Sequence, residues 1–154
     1  MRPTPVKNIV SEIKLSKADV HLPIFEVVVN SIISIGIRHK DEIVAGKIII
    51  EIIRDPILEA DSLLPPAINK VIVTDNGNGF DKANFVSFET PHSHHYKELG
   101  CKGLGRFTCL AAFEEMSIYS TYEQEGKLEN KAFKFTSENE IEEISIADLK
   151  TELQ

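Results

Sequence analysis

A chain of 154 residues, 42% hydrophobic and 27% charged, is the length of one domain and apolar enough to bury a core, which argues against disorder. Its formal net charge of -7 argues against broad electrostatic binding to nucleic acid or to an anionic membrane surface, though not against local capture of a small anion by backbone amides. Two cysteines, Cys101 and Cys109, are too few for a disulfide framework, and the opening MRPTPVKNIVSEIKL is too charged for a secretory leader; a reducing, cytoplasmic setting is expected.

Residues 1–18 are mixed and weakly periodic. Residues 19–37, DVHLPIFEVVVNSIISIGI, are almost wholly apolar. Their β-branched side chains favour a strand by propensity, but strands rarely exceed about ten residues. The polar Glu26, Asn30 and Ser34 recur every four positions, on one helical face, so a helix beginning near Pro23 is predicted. Glu26 and Asn30 also keep this run short of the about 18 apolar residues that a membrane span requires. KIIIEIIR, residues 47–54, reads as a strand, and the prolines of residues 55–69 stop regular structure. Residues 69–75 form a second strand, followed by an expected loop over about 76–99. Residues 103–113, GLGRFTCLAAF, read as a glycine-rich turn feeding a helix. Residues 116–122 and 131–136 read as strands joined by the polar turn EQEGKLEN, and the acidic residues 137–154 show no clear pattern.

Several stretches have the residue types for chemistry. The predicted helix bears a narrow polar stripe, Glu26, Asn30 and Ser34 with Ser31 beside it, where an ordinary surface helix is polar over about half its circumference. Such a helix is expected to be covered nearly all round with its stripe facing a wet cleft or a ligand; the plainer alternative is a stripe meeting bulk water. An acid and an amide one turn apart can act together on a metal-bound anion and a water, the carboxylate as general base and the amide oxygen as metal ligand. In VIVTDNGNGFD, residues 71–81, a strand ends in Asp75, with Gly77 and Gly79 at alternate positions after it. N-G is a favoured turn dipeptide, so a simple loop is one reading. The other makes Asp75 the acceptor for a ligand amine, while Gly77 and Gly79 let the chain lie flush against a flat ring.

GCKGLGRF, residues 100–107, sets Gly100, Gly103 and Gly105 ahead of a helix, with Leu104 between the last two and Lys102 and Arg106 adding charge. Unpaired amides beside a helix dipole hold phosphates, although a packing turn has the same pattern. The run lacks the G-K-[ST] of a Walker A loop and the preceding strand of a dinucleotide fingerprint. His92, His94 and His95 have no cysteine or acid at zinc-ligand spacing, so a solvated loop is expected there. Cys101 lies among backbone amides but has no base near it in sequence.

Taken in order, an E-x-x-x-N helix, a strand ending in D-x-G-x-G, a loop, and G-x-x-G-x-G at a helix start resemble the GHKL superfamily of ATP-binding domains over about residues 15–136. FEVVVNSI, VTDNGNGF and above all GCKGLGRFTCLAAF look closest to its heat-shock-90-type ATPase domains. The resemblance implies an α+β fold, the two-layer α/β sandwich called the Bergerat fold, with helices packed on one face of a mixed, mostly antiparallel sheet. It implies a single ATP-binding domain over residues 1–154, with a lid at about 80–102. On the family's pattern Glu26 polarises the attacking water, Asn30 coordinates the magnesium bridging the phosphates, and Asp75 accepts the adenine amino group beside Gly77 and Gly79. The lid residues Gly100, Lys102, Gly103, Leu104, Gly105 and Arg106 then contact the phosphates. The implied activity is slow hydrolysis of magnesium-ATP, driving lid closure and conformational change in a larger protein. Its implied partners are ATP or ADP, other domains of the same longer chain and a second copy in a homodimer, with no direct nucleic-acid binding and no membrane.

Two departures stand out. Where many relatives read N-S-x-D-A, this chain has Asn30-Ser31-Ile32-Ile33-Ser34, with Ile33 in the acid's place. After Thr136 there is no G-T strand whose threonine supports the family's aspartate, so an N-terminal piece of a longer protein is expected. A histidine-kinase catalytic domain shares the asparagine and the D-x-G-x-G, but the acid four residues before the asparagine and the lid sequence favour an ATPase. A module that binds nucleotide without hydrolysing it is the non-enzymatic alternative.

Overall fold

The computed structural model describes residues 5–16, 19, 21–40, 43–56, 66–90 and 105–147. Its helices are Val6–Glu12 (α1), Leu22–His39 (α2), Lys82–Glu89 (α3) and Gly105–Ala112 (α4), with a short 3-10 turn at Ile43–Ala45. Its strands are Ile48–Arg54 (β1), Ile68–Asp75 (β2), Glu115–Gln124 (β3), Lys127–Thr136 (β4) and Glu140–Glu143 (β5). The class is therefore α+β. Among the described residues the strands form a β1–β2 pair and a β3–β4–β5 meander, and every pairing is antiparallel. The chain gathers into two compact units, Met1–Val27 with Asn78–Gln154, and Val28–Gly77.

The larger unit is organised by aromatic residues. Phe133 on β4 is fully buried and takes the edges or faces of Phe80, Phe85 and Phe88 at centroid separations of 5.6, 5.1 and 5.4 Å, within the range where rings attract beyond their area alone. A second cluster, Val6, Phe107, Leu110 and Phe135, is joined by Ile9, Val10 and Ile13 of the N-terminal segment and by Phe88, Met116, Ile118 and Ile141. The apolar residues of α1 thus find a partner in α4.

Helix α3 occupies part of what the sequence reads as a loop over 76–99. Its start is capped by Asp81, whose carboxylate accepts the Asn84 amide at 2.8 Å, and Phe85 and Phe88, one turn apart, give it a half-buried aromatic face. The β3–β4 hairpin is also longer than expected. Its register runs from Glu115↔Thr136 to Gln124↔Lys127, so EQEGKLEN contracts to a two-residue turn. Glu125 and Gly126 sit at φ 52° and 75°, both positive, as a type I′ turn requires. The polar residues flanking the turn pair across the strands: the Tyr119 and Thr121 hydroxyls both donate to Asn130 Oδ1, at 2.9 and 2.7 Å. In the acidic segment, β5 pairs with β4 from Phe133↔Glu143 to Thr136↔Glu140.

In the smaller unit β1 and β2 pair from Ile48↔Asp75 to Ile53↔Lys70, with a bulge after Ile53. Among the described residues the expected all-round cover of α2 is not found. Leu22, Phe25, Val29 and Ile32, spaced along one side of the helix, are between 41% and 61% exposed, whereas Pro23, Ser31 and Ile35 are buried. Glu26 and Asn30 are exposed on the same side as the apolar residues. The reading that they interrupt the apolar run also needs correction. At 18 residues and a mean hydropathy of 1.3, α2 is long and apolar enough to cross a membrane by length and composition, a test that core helices also pass.

Candidate functional site

In the larger unit, the acid of α2 and the first residue of α4 are in contact. A Cβ on Gly105 would collide with the Glu26 Oε2 atom and lie 2.9 Å from its Cδ and 3.0 Å from its Cβ, so glycine is what lets the acid rest on the helix start. There the positive end of the helix dipole favours a carboxylate. One turn further on, Cys109 is buried, with its thiol 3.6 Å from the Pro23 carbonyl oxygen. The thiol pKa is pushed up to about 12, first by burial and then by the negative charge of Glu26. Pro23 and Glu26 of α2 therefore meet Gly105 and Cys109 of α4.

The sign of the thiol shift yields a test. The unfolded chain ionises this cysteine from its ordinary value of 9.0 upward, whereas the folded chain does so only near 12, so its contribution to stability is lost as pH rises through that interval. At pH 8 Cys109 is expected to resist a thiol reagent in the folded protein and to react fully in denaturant. Peptide mapping by mass spectrometry would check this, and rapid labelling of folded protein would contradict the burial.

Arg106 follows Gly105. Its guanidinium carbon lies 4.2 Å from the ring centroid of Phe107, 5.3 Å from Phe88 and 6.0 Å from Phe135. Burial lowers its pKa to about 10, and the charge survives at neutral pH. The sequence reading sets this cation beside a phosphate; in the structure its guanidinium lies among these three rings. Gly100, Cys101, Lys102, Gly103 and Leu104 lie outside the described residues, as do His92, His94 and His95 and the 91–102 part of the expected lid.

Gly79 belongs to the same unit. Its φ is +73°, and a Cβ there would run into the Thr121 carbonyl oxygen and lie 2.7 Å from the Ser120 hydroxyl. The next amide, of Phe80, donates to that hydroxyl at 2.7 Å. The space beside Gly79 is taken by β3.

In the smaller unit the D-N-G turn is held from α2. Asp75 Oδ2 accepts the Ser31 hydroxyl at 2.8 Å, and Oδ1 accepts the Gly77 amide at 2.8 Å. Ser31 is buried, while Asp75 remains exposed, so each carboxylate oxygen keeps a lone pair for a further donor. A Cβ on Gly77 would strike the Ser34 hydroxyl and lie 2.8 Å from Asp75 Oδ1. Here too the close approach is made by the chain itself.

Asn76 ties the turn to the segment just before β1. Its side-chain oxygen accepts the Lys47 amide at 2.7 Å, its side-chain nitrogen donates to Ala45 O at 2.9 Å, and its own amide donates to Lys47 O at 3.2 Å. Arg38 Nη1 donates to the carbonyls of Asn76 and Gly77 at 3.2 and 3.0 Å, and His39 Nε2 lies 3.2 Å from the former. Ser31, Ser34 and Arg38, spaced by three and four residues, line one face of α2. The sequence reading places Ser31 beside the polar stripe and passes over Asn76 and Arg38; the signal was the helical spacing of the three α2 residues.

Asn30 is exposed on α2, one turn after Glu26. Among the described residues no group of three or more His, Cys, Asp and Glu is placed to hold a metal. A single amide oxygen suits a hard ion that brings waters and phosphate oxygens with it, as magnesium does. The cavity of about 470 Å³ lined by Glu89, Glu138, Asn139, Glu140 and Ile141 includes none of these residues, and its acidic wall would repel phosphate. No family model, no curated protein and no solved structure matches the chain.

Proposed function

We propose that the chain binds magnesium-ATP as a GHKL-type domain of Bergerat fold, of the heat-shock-90 kind, and hydrolyses it slowly to drive conformational change in a larger protein. The observation that carries this reading is the contact of Glu26 with Gly105. It joins an acid to the amide-rich start of α4, the last glycine of a phosphate-binding pattern, and the sequence singles out both independently. The pre-set Asp75 carboxylate lends further support.

In this mechanism Asp75 accepts a hydrogen bond from the adenine 6-amino group. The first-turn amides of α4, together with Gly100, Lys102, Gly103 and Leu104 of the lid, receive the phosphates. The Asn30 amide oxygen would hold magnesium, which when bound screens the phosphate charge and fixes its orientation. Glu26 takes a proton from water as the water oxygen bonds to the γ-phosphorus; the bond to the β–γ bridging oxygen breaks and ADP leaves. Lid closure over 80–102, a cytoplasmic setting, and coupling to partner domains or a homodimer belong to the same proposal.

Calorimetry with ADP, with and without magnesium, followed by assay of phosphate release from ATP, tests it. Saturable binding strengthened by magnesium, and release of free phosphate, are expected. No heat with ADP under either condition would refute nucleotide binding. Label from γ-labelled ATP retained on a histidine would refute hydrolysis in favour of phosphotransfer.

A further inference from the structure

We infer that the outer edge of β1 is a docking surface for a second copy of this chain, the two β1 strands pairing antiparallel about a two-fold axis at Ile49. This goes beyond the nucleotide reading and does not depend on it. Among the described residues β1 pairs only with β2, so its other edge is unpartnered. The strand is seven residues long and exposed from Ile49 onward, with Ile49, Ile50, Ile52 and Ile53 between 40% and 49% exposed. Free edges are ordinarily kept short or charged. The other sheet follows that rule, since its end strand β5 carries Glu140, Glu142 and Glu143. β1 does not: from Ile48 to Ile53 its one charge is Glu51.

The hydrogen bonding fixes which groups the edge offers. The Asn76 amide donates to Lys47 O at 3.2 Å, and the register continues through Ile49↔Thr74, Glu51↔Ile72 and Ile53↔Lys70. Bonded and non-bonded pairs alternate in an antiparallel ladder, so Ile48, Ile50 and Ile52 turn their backbone groups outward. A second β1 can therefore meet the first only with even-numbered residues opposite even-numbered ones. Pairing about Ile50 would set Lys47 and Glu51 against isoleucines. Pairing about Glu51 would set that carboxylate against its own copy, and like charges directly opposite repel. Pairing about Ile49 sets Lys47 opposite Glu51 of the second copy at both ends, with Ile48 opposite Ile50 of the second copy on the other face. Lys47 and Glu51 are exposed, and opposite charges paired across strands attract. The contact is isologous, so it closes at two chains.

Sedimentation equilibrium over micromolar concentrations, without nucleotide, tests this. Wild type is expected to be a dimer in reversible equilibrium with monomer. Lys47→Glu and Glu51→Lys each put like charges opposite at both ends and are expected to weaken the dimer at least about tenfold. The double variant carrying both changes reverses each partner and is expected to restore it. Residues 47 and 51 are roughly 13 Å apart along one strand, too far to pair within a chain, so a repaired fold cannot produce that restoration. The register is read by mild oxidation in a Cys101→Ser background. Ile49→Cys is expected to crosslink across the axis, where opposed Cα atoms lie about 4.5 Å apart, within disulfide reach; Ile53→Cys, on the same face, is not. Wild type that stays monomeric, or that grows past two chains, overturns the inference. So does a dimer indifferent to both single reversals, a double variant that stays weakened, or equal crosslinking at 49 and 53. None of these outcomes bears on nucleotide binding, which calorimetry decides separately.

Discussion

Glu26→Ala protein is expected to lose at least about 100-fold in ATP turnover, the usual contribution of a positioned general base, while binding ADP within a few-fold of wild type. The separation follows from where the side chain lies. Glu26 is exposed, so truncation buries no unpaired group, and what it loses is the contact with Gly105. Removing its charge also relieves one of the two causes that raise the Cys109 thiol, which makes Cys109 labelling an internal control on the same contact. Glu26→Gln keeps the shape and the packing but cannot take a proton, and it is expected to be as inactive as alanine. Steady-state phosphate release would measure both. Wild-type turnover by pure Glu26→Ala protein would remove the proposed mechanism.

Asp75→Asn is expected to weaken ADP binding by at least about 100-fold with the fold intact. Asparagine can keep the local contacts: its oxygen can accept the Gly77 amide that Oδ1 now takes, and the Ser31 hydroxyl, which now donates, can turn and accept from the new amide nitrogen. Toward the base, however, that nitrogen sets a donor against the donor of the 6-amino group. Sites built around one polar pairing discriminate strongly when it is mismatched, because the groups are left buried without partners. An unchanged melting temperature with lost calorimetric binding is the expected pair of results. Binding as tight as wild type would show that the base is read elsewhere.

What the sequence displays well are elements whose pattern is local. The four-residue recurrence of Glu26, Asn30 and Ser34 places a helix that the structure has at Leu22–His39. The β-branched runs place β1 and β2, and the glycine run places the start of α4. What it hides depends on partners far along the chain. The phenylalanines of α3 look like loop residues until Phe133 is brought to them. The acid-rich β5 has little strand propensity of its own and forms by pairing with β4.

The site divides in the same way. Glu26 and Gly105 are each visible as motif residues, but their contact is tertiary. At Gly77 and Gly79 the sequence reading expects the close approach of a ligand ring; the groups that the structure has there, the Ser34 side chain and the Thr121 carbonyl, lie too far off in sequence for local pattern to reveal. The α2 residues that hold the turn are the apparently ordinary Ser31 and Arg38.

The seat of Arg106 has a consequence for the conditions in which this domain holds together. An exposed pair such as Lys7 and Glu138 is weakened by dissolved ions, which crowd around both partners. A guanidinium lodged among Phe88, Phe107 and Phe135 is shielded from those ions by the same rings that attract it. The junction of α3, α4 and β4 should therefore be as firm in brine as in dilute buffer, leaving ionic strength to act on the periphery of the molecule.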